Sequence, residues 1–161
     1  MKFKKMLSIF ALVAALLTFT QSAFADGTPI NSWTVAEEYG CKRNDSEIAG
    51  GGTTNYAYMH LRSGVPCWAG VSGTTYVSNA NQILIDWSFD SWDSGIGGVE
   101  LEINRWDGSN EYIDLDNDRS YDNGTTAIDV AGYTGYVTVK LVAFSSGLRI
   151  VRANIDNITF Q

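Results

Sequence analysis

Residues 55–62 alternate between apolar and polar side chains, and the polar side is rich in aromatic and hydrogen-bonding groups. Because alternate residues of a strand point to opposite faces, one face of this segment should carry Tyr56, Tyr58, His60 and Arg62. Flat aromatic rings complement the apolar C–H faces of sugars, while His and Arg donate hydrogen bonds to hydroxyl groups. We expect Trp106 to stack on the same glycan as Tyr56 and Tyr58. A second sheet face covered by a loop would produce the same pattern.

Catalytic motifs are sparse. The sequence has one histidine and no G-x-S-x-G motif, so it supports neither a catalytic triad nor a zinc site. The enzymatic alternative is a polysaccharide lyase, in which Tyr58 and His60 would serve as base and acid while Arg62 neutralises a uronate. Because adjacency on one strand face is weak support for such a site, we predict no catalytic residues.

A possible metal site lies near the end of the chain, where Asn154, Asp156 and Asn157 interrupt the apolar positions of a strand that should be buried. A carboxylate on such a strand needs a partner, and a hard cation is one that satisfies it. Calcium binds six to eight oxygens, which two strand ends and a loop can supply. The alternative is that Asp156 and Asn157 accept hydrogen bonds from turn amides.

A second acidic cluster contains Asp114, Asp116 and Asp118, which have the D-x-D-x-D spacing of a calcium loop. It departs from the EF-hand pattern because Arg119 stands where glycine makes the turn and Thr125 stands where a bidentate glutamate is needed. A strand that leads into a solvated acidic loop explains the cluster equally well. Whether these residues bind a second metal stays open.

The first 25 residues have the pattern of a secretory signal peptide. Three lysines precede an apolar run from Met6 to about Phe19, and the segment ends in Ala-Phe-Ala. We therefore expect a secreted protein that starts at Asp26 and has no membrane span. Removal of the segment changes the formal net charge from −7 to −10. This charge disfavours nucleic acids and anionic lipids as partners, since both require clustered cations.

Two cysteines, Cys41 and Cys67, follow this segment. An even count in an exported protein predicts a disulfide between them. Such a bond would close a loop of about 25 residues and stabilise the fold by about 3 kcal/mol.

Strand signals dominate residues 26–161, which are numerous enough for one domain with a real core. We predict about eight strands in an all-β antiparallel β-sandwich of the jelly-roll type. Residues 82–92 should be the most buried strand, joined as a hairpin to a strand that starts at Val99. Residues 44–54 are predicted to be a glycine-rich loop, and residues 136–160 two long strands joined by a turn at Ser145.

Two short segments resemble the galactose-binding-like jelly-roll domains found in secreted, calcium-containing carbohydrate-binding modules. Residues 35–39, Val-Ala-Glu-Glu-Tyr, resemble the opening strand, and residues 153–160 resemble the closing strand. In that family a Glu of the first strand and an Asp of the last hold a structural calcium. The resemblance implies Glu37 and Asp156 as the ligands.

These observations together predict a secreted, single-domain, non-catalytic glycan-binding module with a structural calcium and one disulfide. A structural or matrix protein that associates with itself or with an extracellular partner is the alternative from another class. The sequence leaves the glycan and the oligomeric state open.

Overall fold

The computed structural model describes residues 26–41, 47–91, 97–116, 121–146 and 149–161. The predicted signal peptide and Asp118 lie outside these ranges, as does Trp92 at the end of the strand predicted for residues 82–92. The described chain forms eleven strands: β1 (Asp26–Gly27), β2 (Trp33–Tyr39), β3 (Glu47–Thr53), β4 (Tyr56–Ser63), β5 (Pro66–Ser78), β6 (Gln82–Ser91), β7 (Gly97–Arg105), β8 (Asn110–Asp116), β9 (Asp122–Asp129), β10 (Gly135–Ser146) and β11 (Arg149–Phe160).

The strands form two antiparallel sheets that pack face to face. The six-stranded sheet has the order β1-β5-β10-β7-β8, with β2 also paired to β5, and the five-stranded sheet has the order β3-β4-β11-β6-β9. The predicted all-β antiparallel sandwich is therefore confirmed, with eleven strand segments where the sequence indicated about eight.

The core lies between the sheets and is built from alternate residues of the long strands. Ala57, Met59 and Leu61 of β4 are fully buried, as their alternation predicted. The prediction for β6 is also confirmed, since its inward positions are all buried: Ile83, Ile85, Trp87 and Phe89. The opposite sheet contributes Val137, Val139 and Leu141 of β10. Each of these strands consequently leaves its other set of side chains on an outer face.

The predicted hairpin between residues 82–92 and the strand from Val99 is wrong. β6 pairs with β11 and β9, whereas β7 pairs with β10 and β8, so the chain crosses from one sheet to the other between them. The segment 136–160 crosses in the same way, because β10 and β11 belong to different sheets. Two strands with apolar inward faces can meet across the core as well as side by side, and alternation alone does not separate these cases.

The predicted glycine-rich loop at residues 44–54 is also wrong for its described part, because Glu47–Thr53 is the edge strand β3, paired with β4. Glycine is required at position 52 by close packing, because a Cβ there would collide with the Tyr56 carbonyl oxygen and with the Trp33 ring. The Trp33 indole nitrogen donates a hydrogen bond to the Thr53 carbonyl, at 2.9 Å. Gly52 therefore makes room for the Trp33 side chain.

The predicted disulfide is confirmed. Cys41 and Cys67 are bonded and buried, with their Cα atoms 5.2 Å apart. The bond joins the chain just after β2 to the beginning of β5. Among the described residues, no helix has the length and apolar character needed to cross a membrane.

Candidate functional site: a groove on the six-stranded sheet

A groove of about 570 Å³ lies on the outer face of the six-stranded sheet. Five strands supply its walls and floor, which consist of Glu38 from β2, Trp68 from β5, Glu102 from β7, Tyr112 from β8, and Lys140, Val142 and Phe144 from β10. The lining combines aromatic rings with charged side chains.

Strand alternation explains why these residues share one face. On β10, Val139, Leu141 and Ala143 are buried in the core, so Lys140 and Phe144 point outward. The sheet register then aligns their neighbours, because Phe144 lies opposite Trp68 and Lys140 lies opposite Glu102. Tyr112 in turn lies opposite Glu102 on the next strand.

The aromatic part of the groove is the pair Trp68 and Phe144. Their ring centroids are 6.4 Å apart and their planes are inclined by 36°. Tyr112 adds a largely exposed ring on the far side, with 60% of its surface accessible. The rings form apolar surfaces of the size of a sugar ring, next to groups that form hydrogen bonds.

The charged part of the groove is centred on Lys140. Its ammonium group ion-pairs with Glu38 and lies 3.2 Å from the Glu102 carboxylate. Glu38 sits at a register shift of β2 between Glu37 and Tyr39, an irregularity of the kind that redirects side chains. The Lys140 ammonium group also lies 5.7 Å from the centre of the Trp68 ring, within the range of a cation–π contact.

The ion pairs hold these groups in their charged forms. Burial opposes the ionisation of Glu102, but hydrogen bonds from Asn104 and Lys140 and the positive charge of Lys140 lower its pKa below 4.5. Burial likewise disfavours charge on Lys140, yet hydrogen bonds and attraction from Glu38 and Glu102 raise its pKa above 10.5. The groove therefore presents Lys140 as a charged donor and Glu102 as a charged acceptor at neutral pH.

The Lys140 side chain crosses the sheet over Gly70, which has no side chain to block it. A Cβ at this position would lie 2.9 Å from Cε of Lys140 and 3.2 Å from the Leu141 carbonyl oxygen. The aliphatic part of Lys140 thus lies directly over the glycine. Any larger residue would push the ammonium group out of place.

The sequence-predicted sugar-stacking residues occupy two different faces. Tyr56, Tyr58, His60 and Arg62 lie on the outer face of the five-stranded sheet, and the two tyrosine rings are 6.5 Å apart. Trp106 follows β7 of the other sheet and contacts Tyr136. The structure consequently does not bring Trp106 together with Tyr56 and Tyr58.

His60 is half-buried on β4 and lies opposite Arg152 of β11. Its Nε2 atom is buried and has no hydrogen-bond partner among the described residues. Buried in this way, Nε2 is not presented to a substrate. Tyr58 and Arg62, by contrast, are exposed on the same face.

The predicted calcium ligands lie on strands of different sheets, Glu37 on β2 and Asp156 on β11. Asp156 is exposed at a register shift of β11 and lines a depression whose other residues come from β6, β9 and Tyr121. Among the side chains that the structure describes, which do not include those of Glu37, Asp114 and Asp116, no group of three or more His, Cys, Asp or Glu is placed to hold a metal ion. The structural calcium stays a prediction, as does a second metal at Asp114, Asp116 and Asp118.

Sequence reasoning missed the groove residues Trp68, Tyr112, Lys140 and Phe144. It missed Trp68 because β5 was not predicted: its inward positions are small, with Ala69, Gly73 and Thr75 among them. One signal was present on β10, where residues 136–141 alternate between polar or aromatic side chains and core residues. That alternation marks an outer face as clearly as the one on β4.

No protein-family model matches the sequence, and no curated protein matches it either. Solved structures do share the fold. One is TmCBM61 in complex with β-1,4-galactotriose, at 8% identity over 80% of this chain and 88% of that one, with a TM-score of 0.56. Another is the enzymatically active domain of tailspike protein 4 from bacteriophage CBA120, at 9% identity and a TM-score of 0.51. This chain matches with 80% of its length but covers only 19% of the tailspike chain. The chain thus shares its β-sandwich fold with TmCBM61.

Proposed function

We propose that this protein is a secreted, non-catalytic glycan-binding module whose ligand lies in the groove on the six-stranded sheet. The observation that carries the proposal is the Trp68–Phe144 ring pair beside a lysine held between two glutamates. Aromatic faces next to oriented hydrogen-bonding groups are what a sugar ring requires, since it has apolar faces and a polar rim.

In this proposal the C–H face of a sugar packs on the aromatic pair, and its hydroxyl groups meet Lys140, Glu38 and Glu102. The ion pairs keep these groups oriented before the ligand arrives, so little side-chain freedom is lost on binding. Since Lys140, the one cation in the described lining of the groove, is already paired with two carboxylates, the groove favours neutral sugars over uronates.

The fold and the disulfide support the proposal. TmCBM61, which shares the fold, is described in complex with β-1,4-galactotriose, a neutral glycan. A disulfide such as Cys41–Cys67 is typical of proteins outside the cytosol. Together with the predicted signal peptide, it supports secretion.

A glycan could instead bind the outer face of β4, which carries Tyr56, Tyr58, His60 and Arg62. One experiment distinguishes this face from the groove. Binding of the protein from residue 26 onward is measured by affinity electrophoresis and calorimetry with β-1,4-galactan, β-1,4-xylan, β-1,4-mannan and a soluble β-glucan. Trp68→Ala should weaken binding at least about tenfold, the effect of removing a central aromatic contact. Trp68→Phe should restore part of the affinity, and Tyr58→Ala should bind like the unchanged protein.

If Tyr58→Ala loses binding while Trp68→Ala keeps it, the site lies on the β4 face and the groove assignment is wrong. If the unchanged protein binds none of the polysaccharides, the proposed function itself fails. Thermal melts of each variant show whether a loss reflects the site or the fold.

A further inference from the structure

A second aromatic cluster lies on the same outer face, at the opposite end of β5 and β10. Tyr76 and Tyr136 are directly opposed in the sheet register, with ring centroids 5.2 Å apart in an edge-on arrangement. Trp106 packs against Tyr136 at 6.5 Å. All three side chains are exposed, Trp106 by 84%. We call these three residues the distal aromatic cluster.

Trp106 is exposed, but its backbone is firmly held. Its amide donates hydrogen bonds to the Tyr133 hydroxyl, at 3.0 Å, and to the Tyr136 carbonyl, at 3.3 Å. The Tyr133 hydroxyl in turn donates to the Tyr136 carbonyl, at 2.9 Å. The turn that follows is closed by Asp107, whose carboxylate accepts hydrogen bonds from the Ser109 amide and hydroxyl. A large indole is thus presented to solvent on a fixed turn.

The distal aromatic cluster is in line with the groove. Tyr136 and Phe144 lie on the same face of β10, and their separation of eight positions corresponds to about 26 Å along the strand. This distance spans several sugar rings.

Between the two aromatic groups the face is polar. The hydroxyls of Thr74 and Thr138 are hydrogen-bonded at 3.0 Å, and the Asn104 amide donates to Glu102 at 3.0 Å. The surface therefore has an aromatic group at each end and hydrogen-bonding side chains in between.

We propose that the distal aromatic cluster is a second stacking site for the same glycan chain that occupies the groove. The ligand is then an internal stretch of a neutral polysaccharide, and neither a short oligosaccharide nor a chain end fills the face. This inference rests on the proposed function, because the groove supplies the first point of attachment. The polar stretch between the two aromatic groups favours a hydroxyl-rich chain over an apolar protein segment as the occupant.

The test compares chain lengths. Affinities are measured by calorimetry for the trisaccharide, the hexasaccharide and the soluble polymer of β-1,4-galactan, β-1,4-xylan and β-1,4-mannan. In the unchanged protein, affinity should rise from trisaccharide to polymer. Trp106→Ala should lower the affinity for the polymer about fivefold, the effect of losing one stacking contact, and leave that for the trisaccharide unchanged. Tyr121→Ala, which removes an exposed ring outside the six-stranded sheet, is the matched control and should behave like the unchanged protein.

The inference is overturned if Trp106→Ala binds the polymer with unchanged affinity while Trp68→Ala loses it, a result that leaves the proposed function standing. Concentration-dependent sedimentation that Trp106→Ala abolishes would also overturn it, by assigning the cluster to contact with a second copy. If the unchanged protein binds no member of the series, the inference fails together with the proposed function.

Discussion

Lys140 and Glu102 face each other across β10 and β7, with 3.2 Å between Nζ and Oε2. The same ammonium group crosses β5 above Gly70 to reach Glu38 on β2. One side chain therefore connects strands on both sides of the groove floor. The position of Lys140 consequently affects both the stability of this sheet and the shape of the groove.

The ion pair predicts a pH dependence of stability. A carboxyl group whose pKa is lower in the folded protein than its ordinary 4.5 stabilises the fold above pH 4.5. That contribution disappears as the pH falls through the lower, folded-state pKa. Glu102→Gln should therefore cost about 1 kcal/mol of unfolding free energy at pH 7 and progressively less below pH 4.5. Urea unfolding at a series of pH values measures the difference.

Glu111→Gln is the matched control for Glu102→Gln. Glu111 lies 3.6 Å from Arg105 and is 48% exposed, so water screens the pair. Its replacement should change stability little at any pH. A Glu102→Gln penalty that stays constant down to pH 3 would contradict the assignment of the ion pair.

Gly70→Ala should weaken both the fold and glycan binding. The added methyl group would displace the flexible end of Lys140 and press on the Leu141 carbonyl oxygen, so the cost should lie at the low end of the about 1–3 kcal/mol typical of overpacking. Shortening Lys140 to Ala in the same chain should relieve most of the collision. A double-mutant cycle measured by thermal unfolding then gives a favourable coupling between the two changes. Purely additive effects would show that Lys140 does not lie over the glycine.

Removal of the disulfide should destabilise the protein by about 3 kcal/mol, because the bond restricts the unfolded chain over a 26-residue separation. The comparison is between the native protein and the Cys41→Ser/Cys67→Ser variant in urea. Addition of a reductant should lower the stability of the native protein to that of the variant and leave the variant unaffected. Equal stability without reductant would argue against a formed bond.

The predicted calcium is tested by chelation. A ligand bound only by the folded state stabilises it, so a chelator should lower the melting temperature if Asp156 helps to hold calcium. Asp156→Ala should then melt at the same temperature with and without chelator. Identical melting curves of the unchanged protein in calcium and in chelator would rule out a stabilising site.

The fold class was predictable because β4 and β6 carry apolar residues at every second position. This alternation is typical of a β-strand with one buried face. The partner of each strand was not predictable in the same way. Alternation determines which side chains of β6 and β7 face the core, but it does not determine whether the two strands pair in one sheet or face each other in two. β5 was not predicted, because Gly73 and Thr75 occupy inward positions and interrupt the apolar alternation that marks a strand.

The groove was less predictable than the fold. Trp68, Tyr112 and Lys140 come from three strands separated by long stretches of sequence, and each is unremarkable in its own segment. Sheet register brings them together, and register depends on pairings that the sequence pattern leaves open. The polar face of β4 could be predicted, because all of its residues lie at alternate positions of a single strand.

The described residues of both parts of the proposed binding face are attached to sheet backbone or to a hydrogen-bonded turn. A recognition surface that is already ordered requires no conformational rearrangement before contact, so association is limited by diffusion and orientation. Several modest contacts spread along a repetitive chain can then be released and remade one at a time. Such a protein would stay attached to a polymer while shifting from one repeat to the next.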